Sequence, residues 1–245
     1  MKGLTDRVAV VTGAASGIGQ AIARRFVEEG VRVIAVDRNE QALAAAGTFQ
    51  ATLAVDVSEP SAPEKISALV QDCAGQCDIL VNAAGISAFG LFDDPDQKLW
   101  DDTLKVNLDA VAKITRVLLS LLRASDQGRI IMIGSTCSRF ASAGLSAYVV
   151  SKHAILGLTR ALASELGKDG ITVNCIQPGA ILTGITGPVF EQDPSFQEYW
   201  SNKAALGRIG TPEDIAPVAA FLASEEARFM SGHGIYVDGG AMQQN

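Results

Sequence analysis

The run Arg7-Val8-Ala9-Val10-Val11-Thr12-Gly13-Ala14-Ala15-Ser16-Gly17-Ile18-Gly19 decides the fold, because an apolar strand passes through a glycine turn straight into a helix. The strand is short and apolar throughout, as in a sheet covered on both faces. The helix that follows is amphipathic: Ile22, Ala23, Phe26 and Val27 point inward, Arg24, Arg25, Glu28 and Glu29 outward, and Gly30 closes it. Glycines at Gly13, Gly17 and Gly19 let the backbone approach a pyrophosphate closely. The first free amides of the helix, with Ser16 and Ile18 between the glycines, favour its negative charge. The spacing is Gly-x3-Gly-x-Gly, which departs from the Gly-x-Gly-x-x-Gly of the common dinucleotide fingerprint. A purely structural glycine turn is the alternative.

Working outward, Val31–Val36 reads as a second strand that ends on Asp37. An acid about twenty residues past the glycine turn is placed to accept hydrogen bonds from ribose hydroxyls. It would repel a 2′-phosphate, so NAD is expected in place of NADP. Arg38 argues the other way, although Ser16 supplies no second basic group. Thr52–Val55 is the third strand, and it leads to Asp56 and Val57. Asp56 either accepts from an adenine amino group or caps a helix beginning near Pro60. Ile79–Val81 is the fourth strand and terminates in Asn82-Ala83-Ala84-Gly85, where small residues allow a ligand to pass. Asn82 is expected to bond neighbouring backbone and hold the sheet edge. A single long helix follows over Lys98–Leu122, and Asn107 within it is a poor helix former.

The second half repeats the alternation. Gly128–Gly134 reads as a buried strand, which puts Ser135 at a carboxyl end, where open α/β sheets place ligands. Tyr148–Leu166 has helical periodicity, and Tyr148 and Lys152 then share one helix face. Such pairs are common, so this one acquires meaning only from its context. Gly170–Ile176 is a further strand leading into Gln177-Pro178-Gly179-Ala180-Ile181-Leu182-Thr183. Gly184–Gly210 is irregular and rich in aromatics, and it reads as a substrate lid with one short amphipathic helix. Thr211 and Pro212 start a helix running to about Ala223, and Ile235–Val237 is the last strand.

Composition bounds the function. A chain of 245 residues with 48% hydrophobic content can form one domain, residues 1–245. A net charge of −7 removes the basic footprint that nucleic acid requires. Neither a signal-peptide core nor a membrane-length apolar run is evident, so a cytoplasmic location is expected. Cys73, Cys77, Cys137 and Cys175 are scattered, and with only His153 and His233 no metal site is expected.

Together, Thr12-Gly13-x3-Gly17-Ile18-Gly19, Asp56, Asn82-Ala83-Ala84-Gly85, Asn107, Ser135, Tyr148-x3-Lys152 and Pro178-Gly179 resemble the single-domain branch of the short-chain dehydrogenase/reductase family. The resemblance implies an α/β fold: a doubly wound Rossmann-type parallel seven-strand sheet with helices on both faces. It implies a catalytic tetrad of Asn107, Ser135, Tyr148 and Lys152, with Tyr148 as general acid/base. Lys152 and the cofactor's positive charge are expected to lower the Tyr148 pKa, Ser135 to orient the substrate oxygen, and Asn107 to open its helix and hold a water. Lys152 also bonds the nicotinamide ribose in this reading, the Ile181 backbone meets the carboxamide, and Thr183 lies near the cofactor. The implied activity is NAD-dependent interconversion of a secondary alcohol and its ketone by a homotetramer. An NADP-dependent 3-oxoacyl ketoreductase and a non-catalytic NAD-binding regulator are the alternatives. Candidate substrate contacts are Ser87, Phe89, Thr136, Cys137, Arg139, Phe140, Ala180, Phe190, Tyr199 and Trp200; Arg139 is expected to be a solvated arginine after a strand, with pairing to a substrate carboxylate as the alternative.

Overall fold

The computed structural model describes residues 1–93 and 97–243, so residues 94–96 and 244–245 of the 1–245 span lie outside the described residues. Seven strands, β1 (Val8–Thr12), β2 (Arg32–Asp37), β3 (Ala51–Ala54), β4 (Ile79–Asn82), β5 (Arg129–Ile133), β6 (Thr172–Pro178) and β7 (Gly234–Val237), form one sheet. Its order is β3-β2-β1-β4-β5-β6-β7, and every neighbouring pair is parallel. The chain order reverses between β1 and β4, the switch point where such sheets open a crevice beyond their carboxyl ends.

Nine α-helices cover the sheet among the described residues: α1 (Gly17–Glu28), α2 (Glu40–Ala46), α3 (Ala62–Cys73), α4 (Gln97–Leu104), α5 (Val111–Arg123), α6 (Ser146–Leu166), α7 (Gly187–Gln192), α8 (Pro194–Lys203) and α9 (Pro212–Ala223). The strand pleat sends alternate side chains to opposite cores. Ala9 and Val11 join Ile22, Phe26, Ile215 and Ala219 on the α1/α9 face. Val8 and Val10 join Ile66, Ile114, Leu118 and Ile155 on the α3/α5/α6 face. Burial on both sides explains why the strands read as continuous apolar runs.

The structure corrects several expectations. Strand ends move by a residue or two, and α2 was not read from the sequence. The helix expected over Lys98–Leu122 changes winding: α4 and α5 flank a π-helical segment, Lys105–Ala110, centred near Asn107. The segment 184–210 holds two helices, α7 and α8, instead of one. Asp56 does not cap α3, whose N-cap is Ser61; its Oδ1 accepts from the Ser58 amide at 2.8 Å. Asn82 does not hold a sheet edge, because β4 lies between β1 and β5. Its amide nitrogen donates to Thr115 Oγ1 at 3.2 Å and to Met132 Sδ at 3.4 Å. Thr12 does the backbone work there, with Oγ1 accepting from the Ala83 and Ala84 amides at 3.1 Å each.

Candidate active site

The carboxyl ends of β1, β2, β4, β5 and β6 open into one cavity of about 620 Å³. Its walls include Gly13, Ser16, Gly17, Ile18, Gly19, Asp37, Asp56 and Val57 at one end. Ser135, Tyr148, Lys152, Pro178, Gly179, Ile181 and Thr183 stand at the other. The sequence-predicted cofactor residues are thus brought together, except Asn82, which is not among the lining residues.

The glycine turn has the shape a dinucleotide needs. A Cβ on Gly19 would sit 2.1 Å from the Gly13 carbonyl oxygen, and one on Gly13 would sit 2.9 Å from the Ala84 backbone. Gly13 and Gly17 both hold positive φ, 69° and 54°. Side chains at these points would fill the cradle and strain its backbone. Ser16, the N-cap of α1, makes no side-chain cap bond, which leaves the first amides of a twelve-residue helix facing the cavity. Asp37 is held at the β2 tip: Oδ2 accepts from the Ala15 amide at 3.1 Å and Oδ1 from the Asn39 amide at 3.0 Å.

The reacting end is built by β5 and α6. After β5, Ser135 and Ser138 cap a short 3₁₀ turn reciprocally, and Ser135 Oγ accepts from the Cys137 amide at 3.1 Å. Tyr148 enters from the first turn of α6, and its phenol lies close enough to the Ser135 side chain for that hydroxyl to favour the phenolate. One helical turn later Lys152 reaches back, donating from Nζ to the Ile133 carbonyl at 2.8 Å and lying 5.4 Å from the Tyr148 ring centroid. Burial pushes the Tyr148 phenol up to about 12, against the lowering influence of the Ser135 side chain. Burial also brings the Lys152 ammonium down to about 8. The Tyr148 shift runs opposite to the lowering expected from Lys152, because desolvation of the anion is its largest cause. Cys137 lies in the same electrostatic environment, its thiol raised by burial.

Asn107 does not line the cavity. Its side chain accepts from the Ile86 amide at 2.8 Å and donates to the Ile86 carbonyl at 2.8 Å and to Ser151 Oγ at 3.2 Å. Ser151, fully buried, donates in turn to the Tyr148 carbonyl at 2.7 Å. Ser151 and Ile86 were missed in the sequence because their partners lie far along the chain or on the next turn. Thr186 was missed too: its Oγ1 accepts from the Thr183 amide at 2.9 Å and donates to the Ile181 carbonyl at 2.5 Å.

Of the candidate substrate contacts, Ser87 lines the cavity and the others do not. Phe190 is buried against Phe196, ring centroids 5.9 Å apart, while Phe196, Tyr199 and Trp200 pack edge to face. Ala180 borders a separate cavity of about 150 Å³. Arg139 lies 5.6 Å over the Tyr236 ring, beside Phe140, so it does not project toward a substrate carboxylate.

Residues 13–242 match a family model described as enoyl-(acyl carrier protein) reductase. The short-chain reductase protein NovJ of Streptomyces niveus is 37% identical over 246 residues, covering 96% of this chain and 94% of the relative. The 3-oxoacyl-[acyl-carrier-protein] reductase FabG of Vibrio cholerae is 33% identical over 241 residues, covering 97% and 98%. A solved structure from Beutenbergia cavernae, with NADP bound at low occupancy, superposes with a TM-score of 0.91 at 35% identity over 98% of each chain.

Proposed function

The chain belongs to the short-chain dehydrogenase/reductase family and is an oxidoreductase; from that premise we propose that it uses NAD to interconvert a secondary alcohol and its ketone. The observation that carries this reading is the single cavity joining Asp37 to Tyr148. A nicotinamide dinucleotide bound there supplies or accepts the hydride. Gly13, Ser16, Gly17, Ile18 and Gly19 would hold its pyrophosphate, Asp37 the ribose hydroxyls, Asp56 and Val57 the adenine, and Lys152 the second ribose. Pro178, Gly179, Ile181 and Thr183 would hold the nicotinamide end.

The remaining work belongs to the protein's own groups. Tyr148 gives its phenolic proton to a ketone oxygen during reduction and takes one from an alcohol during oxidation. Ser135, beside that phenol, orients the substrate oxygen. With its pKa pushed up to about 12, Tyr148 holds its proton at neutral pH. Asn107 fixes the loop after β4 to α6 through Ile86 and Ser151, and in this reading its π-wound segment holds the water that links Lys152 to solvent.

The residues after β6, 184–210, are read as a substrate lid, and the whole span 1–245 as one domain. Assembly as a homotetramer in the cytoplasm completes the proposal. β7 is an edge strand with Phe229 fully exposed near it, which favours association, and the cysteines are free. No helix among the described residues is long and apolar enough to cross a membrane.

A second reading, an NADP-dependent 3-oxoacyl reductase, is favoured by Arg38. Its guanidinium lines the same cavity and lies 3.8 Å from Asp56, with the side chain 70% exposed. Turnover of ketones by the purified protein with NADH and with NADPH separates the readings. Tyr148→Phe is expected to bind the dinucleotide and lose turnover by about 10²–10⁴-fold, the usual scale of a general acid. Wild-type turnover by that variant would remove Tyr148 from its assigned role.

A further inference from the structure

We propose that the substrate of this site is an uncharged ketone or secondary alcohol with an apolar, ring-bearing body; the inference rests on reading the cavity as a hydride-transfer site. The charge around the mouth is the first observation. Among the described residues, the charged side chains lining the cavity are Asp37, Arg38, Asp56 and Lys152. The first three stand at the ends of β2 and β3, at the opposite end from Tyr148, and Lys152 is committed to the Ile133 carbonyl.

Cations on the flanking segments are engaged elsewhere. Arg139 stacks on Tyr236, Lys203 lies over Tyr199 and Trp200 at 5.8 and 5.5 Å, and Arg208 makes paired bonds to Asp214 at 2.7 and 2.8 Å. A substrate carboxylate would enter without a counter-charge, and a buried unpaired charge is strongly disfavoured.

Polar recognition is also sparse. Among the described residues, the hydroxyls lining the reacting end besides Ser135 and Tyr148 are Ser87, Thr183 and Thr186, and the two threonines bond to each other and to backbone. A polyol would leave most of its hydroxyls unmatched on entering.

Apolar side chains meanwhile stand in water near the reacting end. Phe89, two residues after the cavity-lining Ser87, is 73% exposed, and its ring lies over Gly144, just before the helix that presents Tyr148; a Cβ on Gly144 would come within 2.0 Å of that ring. Ile185 lines the cavity and is half exposed, flanked by Leu182 and Val189, each near half exposed. An apolar body that covers these side chains removes them from water, and a ring suits the face of Phe89.

The test compares kcat/KM for acetophenone and 4-methylcyclohexanone with that for acetoacetate and fructose, using whichever dinucleotide supports turnover. The cyclic ketones are expected to lead by roughly tenfold or more, the scale of a few methylenes in an apolar pocket. Phe89→Ala and Ile185→Ser are each expected to lower kcat/KM for acetophenone roughly tenfold, mainly through KM. Phe89→Ala should leave the dinucleotide Kd unchanged. Equal or better turnover of acetoacetate or fructose overturns this inference and leaves the hydride-transfer reading standing. Unchanged acetophenone kinetics in both variants overturns it as well. If none of the four ketones reacts while the dinucleotide binds, both readings fall.

Discussion

Lys152→Met is expected to remove activity and, at pH 7, to stabilise the fold. The ammonium is 6% exposed, and burial brings its pKa from 10.5 down to about 8. At about 1.4 kcal/mol per pH unit, holding that charge inside costs about 3 kcal/mol at neutral pH. Methionine keeps an unbranched stem of similar length and discards the charge. Against this stands the lost bond from Nζ to the Ile133 carbonyl, 2.8 Å in the wild type and worth about 1–2 kcal/mol. The net gain at pH 7 is therefore about 1–2 kcal/mol. The pH dependence isolates the cause. Because the folded pKa lies below the unfolded one, the unfolded chain binds the extra proton between about 8 and 10.5, so wild-type stability rises with pH across that window. At pH 10 the charge cost has shrunk to under about 1 kcal/mol, and the variant loses its advantage. Urea unfolding of both proteins at pH 7 and pH 10, without dinucleotide, measures the difference from the midpoints at a common slope. A variant less stable at pH 7, or an advantage that is the same at both pH values, refutes the reasoning.

Other expectations follow from the same geometry. Asp37→Ser removes the carboxylate at the β2 tip, and the ratio of kcat/KM for NAD over NADP is expected to fall about 10–100-fold, the worth of one or two charged hydrogen bonds; an unchanged ratio means Asp37 does not choose the cofactor. Gly13→Ala forces a methyl to 2.9 Å from the Ala84 backbone at positive φ, whereas Gly85→Ala meets Asn107 Oδ1 at 3.4 Å and Lys152 Nζ at 3.7 Å. The first is expected to weaken NAD binding at least about tenfold in titration calorimetry and the second to spare it, since only the first strains the cradle. For the lid, hydrogen exchange over 184–210 is expected to slow when dinucleotide and ketone are both bound, and equal exchange in the two states would remove the lid reading.

Much of the fold was legible because the sheet is buried on both faces: its strands are apolar runs closed by glycine or polar residues, and the residues just beyond their carboxyl ends face the cavity. Asp37 is marked by its place at the end of β2, whereas Tyr148 and Lys152 stand out only through the family resemblance, their four-residue spacing on α6 being too common to single them out. The α2 helix carried a signal that was passed over, since Asn39 Oδ1 accepts from the Ala42 amide at 3.0 Å as an ordinary N-cap. The contacts of Thr12, Thr186 and Asn82 had no such local mark. Thr12 meets amides on the neighbouring strand, and Asn82 meets Thr115 and Met132 across the core. The aromatics in 184–210 suit either a substrate wall or a segment packed closed on itself, and Phe190, Phe196, Tyr199 and Trp200 are spent largely on one another.

The π-wound segment ties these levels together. Its Asn107 uses one amide to clamp both backbone groups of Ile86, just past the small residues after β4, and to reach Ser151, which holds the Tyr148 carbonyl. The loop that floors the cavity and the helix that delivers the phenol are thereby set against each other by one buried side chain, 1% exposed. An unbroken α-helical register would carry Asn107 to a different angle about the axis, so the change of winding and the placement of the amide are one feature. The same strip of backbone explains the glycine at position 13, where a Cβ would sit 2.9 Å from the Ala84 backbone, whereas a Cβ on Gly85 would make only ordinary contact with Asn107 and Lys152. In the proposed reading the cradle and the proton-handling end share this strip of backbone, so a shift in it is expected to disturb both ends at once.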